Sequence, residues 1–209
     1  MPEGVAGVVL AAGAGRRFGK PKALVDYHGT LLVDRALRVL AEGGCTPVLV
    51  VLGAAADEVL ERADLSGATV VVNPDWSSGM GSSLRVALDA LARTTEAATT
   101  SAALITPVDM PGIGPSAVRR VAAYASHARL AAATHQGRRS HPVLLGRDHW
   151  SGASEAAVGD SGARHYLRDR EVTLVTCDDV SEGFDIDRPE DLRRGGPPDA
   201  GVRPDAPNP

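Results

Sequence analysis

Leu10-Ala11-Ala12-Gly13-Ala14-Gly15-Arg16-Arg17-Phe18-Gly19-Lys20-Pro21-Lys22 follows an apolar run, Val5 to Ala11, near the start of the chain. A buried strand that empties into a glycine-rich loop is the usual opening of an α/β nucleotide-binding domain. Glycines let backbone N–H groups turn toward a ligand and approach phosphates with no Cβ in the way. Arg16, Arg17, Lys20 and Lys22 add four positive charges within seven residues, and such groups are strong partners for phosphate oxygens. Spacing excludes two familiar phosphate loops. A dinucleotide fingerprint reads Gly-x-Gly-x-x-Gly, and the third glycine comes one residue late here, at Gly19. A P-loop ends Gly-Lys-[Ser/Thr]; here Gly19-Lys20 runs into Pro21, which has no N–H to offer.

Downstream, short β-rich runs alternate with helical stretches. Leu31 to Ala41 carries Leu32, Val33, Ala36, Leu37, Val39 and Leu40 at helical spacing before Gly43-Gly44. Strands are predicted at 47–52, 68–72, 102–106, 130–134, 142–145 and 172–176, and helices at 54–63, 82–93 and 115–126. Continuous apolar strands alternating with helices predict an α/β, three-layer αβα sandwich on a mostly parallel sheet. Thr94 to Ser101 reads as an exposed loop. Gly195 to Pro209 holds five prolines and three glycines, so the prediction is one domain over 1–194 and a disordered tail over 195–209.

Composition narrows the function. The 209 residues are 44% hydrophobic and 23% charged, with 22 Lys and Arg against 26 Asp and Glu, a net charge of −4. A mildly acidic chain with no basic tract is a poor partner for nucleic acid, and 3% aromatic residues leave little for base stacking. No apolar run approaches the ~20 residues of a membrane helix, and Met1-Pro2-Glu3-Gly4 lacks the basic start of a signal peptide. Cys45 and Cys177 stand far apart, outside any metal-like spacing. The expectation is a cytoplasmic protein with no membrane and no nucleic-acid partner.

Two acidic strings offer metal chemistry. Leu104-Ile105-Thr106-Pro107-Val108-Asp109-Met110-Pro111 runs an apolar strand into Asp109. Ligands of parallel sheets bind beyond the strand carboxyl ends, where an aspartate can hold Mg²⁺ or merely shape a turn. In Gly183-Phe184-Asp185-Ile186-Asp187-Arg188-Pro189-Glu190-Asp191-Leu192, Asp185 and Asp187 are two apart. In an extended segment they share one face. Pro189 with Glu190 and Asp191 reads as a helix start, which is reason enough for those two acids. Asn73-Pro74-Asp75-Trp76-Ser77-Ser78-Gly79-Met80-Gly81-Ser82-Ser83 ends a strand and opens a helix, so Ser82 or Ser83 is a cap or a nucleotide contact. His141-Pro142 follows the polar run Gln136 to Ser140, and Gly159-Asp160-Ser161-Gly162-Ala163-Arg164 flows into a helix. Arg164 either holds Asp160 or meets a phosphate.

Taken together, these strings resemble the molybdenum-cofactor nucleotidyltransferases, within the NTP-transferase superfamily, and most nearly their cytidylyltransferase branch. The resemblance spans about residues 5–194. It implies the nucleotide-diphospho-sugar transferase-like fold and transfer of NMP from an NTP, CTP first, to a phosphorylated small molecule such as molybdopterin. It implies nucleotide contacts at Leu10, Ala11, Ala12, Gly13, Ala14, Gly15, Lys22, Asn73, Gly81, Ser82 and Ser83. Catalytic roles fall to Arg16 or Arg17, Lys22 and Asp109; Mg²⁺ would sit on Asp109, Asp185 and Asp187. The acceptor would meet His141, Asp160 and Arg164, the first in a segment where the family commonly has glycine at the position of Ser140. A molybdoenzyme or its chaperone is the implied protein partner. Two alternatives stand beside it: guanylyl transfer to molybdopterin or to a deazaflavin-precursor phosphate, and an NAD(P)H-dependent oxidoreductase of the nicotine-blue type. Against the last, the strand at 47–52 ends in Gly53-Ala54-Ala55-Ala56, without the ribose-binding acid of a dinucleotide site.

Overall fold

The computed structural model describes residues 4–95 and 99–194. Its centre is a seven-stranded sheet built from β1 (Gly4–Ala11), β4 (Val48–Leu52), β5 (Ala68–Val72), β6 (Thr100–Pro107), β7 (Leu130–His135), β8 (Arg138–Gly146) and β9 (Thr173–Thr176). The order across the sheet is β5-β4-β1-β6-β8-β7-β9. β1 pairs in parallel with β4 and β6, β4 with β5, and β7 with β9; β8 alone runs antiparallel to both its neighbours. The chain steps outward from β1 to β4 and β5, then crosses to β6 on β1's other side. The carboxyl ends of β1 and β6 therefore flank the point where the strand order reverses, which is where open α/β sheets bind ligands.

The period-2 alternation of the strands divides the core in two. Val9, Ala11, Val50 and Leu104 face α1 (Leu32–Glu42), α2 (Ala56–Arg62) and α4 (Pro115–Ala122). Val8, Leu10, Val51 and Ile105 face α3 (Met80–Arg93), α5 (Trp150–Ala156) and α6 (Arg164–Arg168). Leu40 and Leu104 on one side, with Leu84 and Leu145 on the other, are fully buried, each worth about 1.5–3 kcal/mol of hydrophobic stabilisation. The result is the three-layer αβα sandwich with a mostly parallel sheet that the sequence predicts.

Several boundaries differ from expectation. Thr100 and Ser101, read as part of an exposed loop, are buried and begin β6. Residues 96–98 of that loop and the proposed tail, 195–209, lie outside the described residues. α2 and α4 are shorter than their apolar patterns, and α5 is an element that the sequence reading lacked. A two-residue ladder, β2 (Asp26–Tyr27) with β3 (Thr30–Leu31), turns on His28 and Gly29 at φ +53° and +82°. Gln136 and Gly137 turn the β7–β8 hairpin in the same way, matching the strand twist as primed turns do. Among the described residues no helix is long and apolar enough to cross a membrane.

Candidate active site

Beyond the carboxyl ends of β1 and β6 lies a cleft with two lobes. The smaller, about 380 Å³, is walled by Leu10, Ala12 to Arg17 and, across from them, Trp76, Gly79, Met80 and Ser83. The larger, about 1070 Å³, is walled by the β7–β8 hairpin, the 160–164 loop and the segment 181–187. Lys22, Asp109, Asp160 and Asp187 line both lobes, so the charged groups stand at the seam.

The glycine loop is shaped by its own backbone. Gly15 O accepts the amides of Phe18 and Gly19, at 2.9 and 2.8 Å, and Gly15 sits at φ +61°. A Cβ there would fall 1.8 Å from Lys20 O, so only glycine closes this turn. Phe18 is buried beneath it. Pro21 then starts a 3-10 turn, Lys22–Leu24, whose Ala23 and Leu24 are core residues. That anchorage delivers the Lys22 ammonium to the seam.

There, Lys22 Nζ donates to Asp109 Oδ2 and to Asp187 Oδ1, each at 2.6 Å. Asp109 follows β6, and the Val108 amide bonds to Leu10 O at 3.1 Å, tying the two strand ends together. Asp185 and Asp187 flank Ile186, which is fully buried and donates its amide to Asp109 O at 2.8 Å. The alternation read from the sequence thus turns both carboxylates away from the core. Asp191 Oδ2 accepts the amides of Asp187 and Arg188, the structural role expected of it. Arg17 Nη1 lies 3.4 Å from Asp187 Oδ2; Arg16 lines the smaller lobe without a side-chain partner among the described residues.

The electrostatics follow from this packing. Burial pulls Lys22 down, but Asp109 and Asp187 together outweigh it and hold the ammonium above its ordinary value. The Lys22 hydrogen bond holds Asp187 below the usual carboxylate range. Asp185 is pushed up, by burial first and then by Asp109 and Asp187. His141 is pushed down by burial; its Nδ1 faces Ile105 O at 3.3 Å, so the proton sits on Nδ1 when the ring is neutral.

Not every residue named from the sequence reaches the cleft. Ala11 packs into the opposite core face. Asn73 and Ser82 are buried and bonded together, Asn73 Nδ2 donating to Ser82 Oγ at 2.8 Å and to Ser83 Oγ at 3.0 Å. Ser82 Oγ also donates to Gly79 O at 2.8 Å. Gly81 is pressed against Ala157 O, where a Cβ would come within 2.6 Å. These three brace the wall, while Ser83 lines it. His141, Asp160 and Arg164 all line the larger lobe, and no ion pair joins Asp160 to Arg164 among the described residues. Trp76, Met80, Arg138 and Arg139 also line the cleft and were absent from the sequence-derived set. One signal was available for Trp76, since only two tryptophans occur and this one lies in the Asn73–Ser83 string.

Among the described residues, no three Asp, Glu, His or Cys side chains converge into a metal cage. Asp109 and Asp187 are joined through the Lys22 ammonium, and Asp185 stands beside them without closing a third corner. Two hard oxygen donors at one cation position still fit Mg²⁺ or Mn²⁺, which bind through one or two carboxylates and complete their shells with phosphate oxygens and water.

A family model described as a MobA-like NTP transferase domain matches residues 7–174. The chain is 40% identical over 200 residues to the nicotine blue oxidoreductase of Paenarthrobacter nicotinovorans, covering 91% of this chain and 95% of that protein. It is 29% identical over 202 residues to the molybdenum cofactor guanylyltransferase of Rhodobacter capsulatus, covering 91% and 94%. A Mycobacterium tuberculosis H37Rv protein, Rv0371C, solved in complex with manganese, superposes with a TM-score of 0.74 at 27% identity, over 91% of this chain and 97% of that one.

Proposed function

The chain belongs to the MobA-like NTP transferase domain family, and from that premise we propose that it transfers a nucleoside monophosphate, CMP from CTP, to a phosphorylated small molecule such as molybdopterin. One observation carries the reading: Lys22 is held between Asp109 and Asp187 at 2.6 Å, where a lobe walled by the glycine loop meets a larger lobe. The triphosphate would lie along the amides of Gly13 to Gly15, with Arg16, Arg17 and Lys22 neutralising its charge. An oxygen of the acceptor phosphate attacks the α-phosphorus, the bond to the bridging oxygen breaks, and pyrophosphate leaves. No general base is required, because the acceptor phosphate is already ionised at neutral pH. The larger lobe would present the acceptor through Arg164, His141 and Asp160. A divalent cation on Asp109 and Asp187, with Asp185 adjacent, would supply further charge neutralisation on the phosphates; the manganese complex of the Mycobacterium tuberculosis relative supports it. The choice of CTP rests on the likeness of the Leu10–Lys22 and Gly159–Arg164 strings to the cytidylyltransferases. GTP has the support of the guanylyltransferase relative. The cytoplasm, where nucleoside triphosphates are made, is the fitting compartment, and two free buried thiols accord with it.

A second reading has its own support. Forty per cent identity across nearly the full length makes an NAD(P)H-dependent oxidoreductase of the nicotine-blue type the competing proposal. A thermal-shift panel of CTP, GTP, ATP, UTP, NADH and NADPH, each with and without Mg²⁺, separates the two, because a ligand of the native state raises Tm. The transferase reading expects a Mg²⁺-dependent shift with CTP. A metal-dependent shift with GTP alone moves the donor to guanine, and a metal-independent shift with reduced nicotinamides alone overturns transfer.

A further inference from the structure

His135, the last residue of β7, is 8% exposed and stands on no site string of the sequence. Its Nε2 lies 2.6 Å from Ser181 Oγ. Ser181 Oγ donates to Cys177 O at 3.2 Å, which leaves the hydroxyl to accept the Nε2 proton. Gly183 packs against the same ring: a Cβ there would fall 2.4 Å from His135 Cγ and 2.5 Å from Nδ1. The Gln136 amide next door bonds to Asp178 Oδ1 at 2.7 Å. From this anchorage the chain runs over Gly112, whose carbonyl accepts the Glu182 amide at 3.1 Å, and on to the Ile186 amide on Asp109 O. Ser181 to Asp187 is thus a strap without regular secondary structure. It is pinned at His135, at Gly112 and at Asp109, and it carries Asp185 and Asp187 to the seam.

We propose that His135 is a positioning residue: its hydrogen bond to Ser181 and its contact with Gly183 set where the strap presents Asp185 and Asp187 to Lys22 and to a bound cation. Burial holds the imidazole below its ordinary pKa, as suits a ring with one donated proton. Nδ1 has no partner among the described residues, so a second proton would find no acceptor. Aliphatic residues of similar volume would fill the space and leave Ser181 unheld. The consequence at the cation rests on the transferase reading; the mechanical link does not.

The test therefore has two readouts, amide hydrogen exchange of the full chain and the Tm shift produced by Mn²⁺ with a non-hydrolysable CTP analogue. Exchange at Glu182 and Ile186 should quicken at least tenfold in His135→Ala and in Gly183→Ala, while β1 and β4 amides keep their protection. The Mn²⁺-dependent shift should fall by more than half in both variants, with the metal-free nucleotide shift unchanged. His135→Gln, which restores a donor near Nε2, should recover both readouts. If His135→Ala does not fold, Ser181→Ala removes the same bond from the surface side and carries the prediction. Unchanged exchange at Glu182 and Ile186 overturns the proposal, as does quickened exchange with an undiminished Mn²⁺ shift. A wild-type chain with no Mn²⁺-dependent shift for any nucleotide removes the transferase reading instead, and exchange alone then decides the strap.

Discussion

Replacing Lys22 with methionine keeps the stem and removes the charge that holds the seam together. In the native chain the ammonium makes two bonds of 2.6 Å, with its side chain 15% exposed and those of Asp109 and Asp187 21% and 44% exposed. Exposed pairs are worth about 0–1 kcal/mol and the loss of one partner of a buried pair about 3–5 kcal/mol. This half-buried arrangement belongs between them, at about 2 kcal/mol. For a domain of this size that is a fall in Tm of roughly 4–8 °C. The sign with pH follows from the two shifts. Asp187 is held low, so its contribution is full above the ordinary carboxylate value and is lost as pH falls through the lowered one. Lys22 is held high, so its contribution is full below 10.5 and is lost as pH rises through the raised value. The gap between wild type and variant should therefore be flat near neutrality and shrink in acid. Mn²⁺ should stabilise the Lys22→Met chain more than the wild type, because a cation can take the place that the ammonium leaves. With substrates, kcat/KM should fall about 10²–10³-fold, the usual cost of removing one preorganised group that stabilises transition-state charge. Calorimetry from pH 3 to 9, with and without Mn²⁺, reads the first part. A variant as stable as wild type at pH 7 would refute the electrostatic account of the seam.

Asp185→Asn should raise Tm at pH 7, because burial and two neighbouring carboxylates make that charge unfavourable. The gain should vanish in acid, where the native carboxyl is protonated, and Mn²⁺ affinity should fall; a loss of Tm at neutral pH would contradict this. Gly15→Ala should cost more than the ~1–3 kcal/mol of left-handed backbone strain, because its Cβ would also fall 1.8 Å from Lys20 O, and it should abolish the nucleotide-dependent Tm shift; an unaltered shift would mean that the loop does not hold the triphosphate. Burial pushes the Cys45 thiol up to about 12, so Cys45 should resist a thiol reagent at pH 8 until the chain unfolds, as mass spectrometry of the alkylated native protein can check.

Much of this was legible because short-range pattern controls it. The β1–loop–Lys22 string reads directly, since glycine, charge and an apolar strand each have one local meaning there. Asp185 and Asp187 read as a pair because alternation is a property of any extended segment. The antiparallel direction of β8 was hidden for a physical reason. Arg138 to His141 extend the strand past the core over polar residues, so the apolar pattern began only at Pro142. The two-residue turn that forces reversal went unseen with them. Asn73 and Ser82 looked like ligand contacts because hydroxyls and amides at a helix start can serve a ligand or one another. Only the packing of α3 against Ala157 to Asp160 decides between those uses. His135 carried no signal, because its partner Ser181 lies 46 residues away and contact at that separation leaves no local mark.

On the transferase reading, the seam of Lys22, Asp109 and Asp187 carries nucleotidyl transfer. The deciding measurement incubates the chain with CTP labelled at the α-phosphorus, Mg²⁺ and molybdopterin, and follows label and pyrophosphate together. Label should appear in the acceptor product with one pyrophosphate released per transfer, and both should be lost in Asp109→Asn at unchanged fold. No label transfer from CTP or GTP with the wild-type chain, or full transfer by Asp109→Asn, would contradict it.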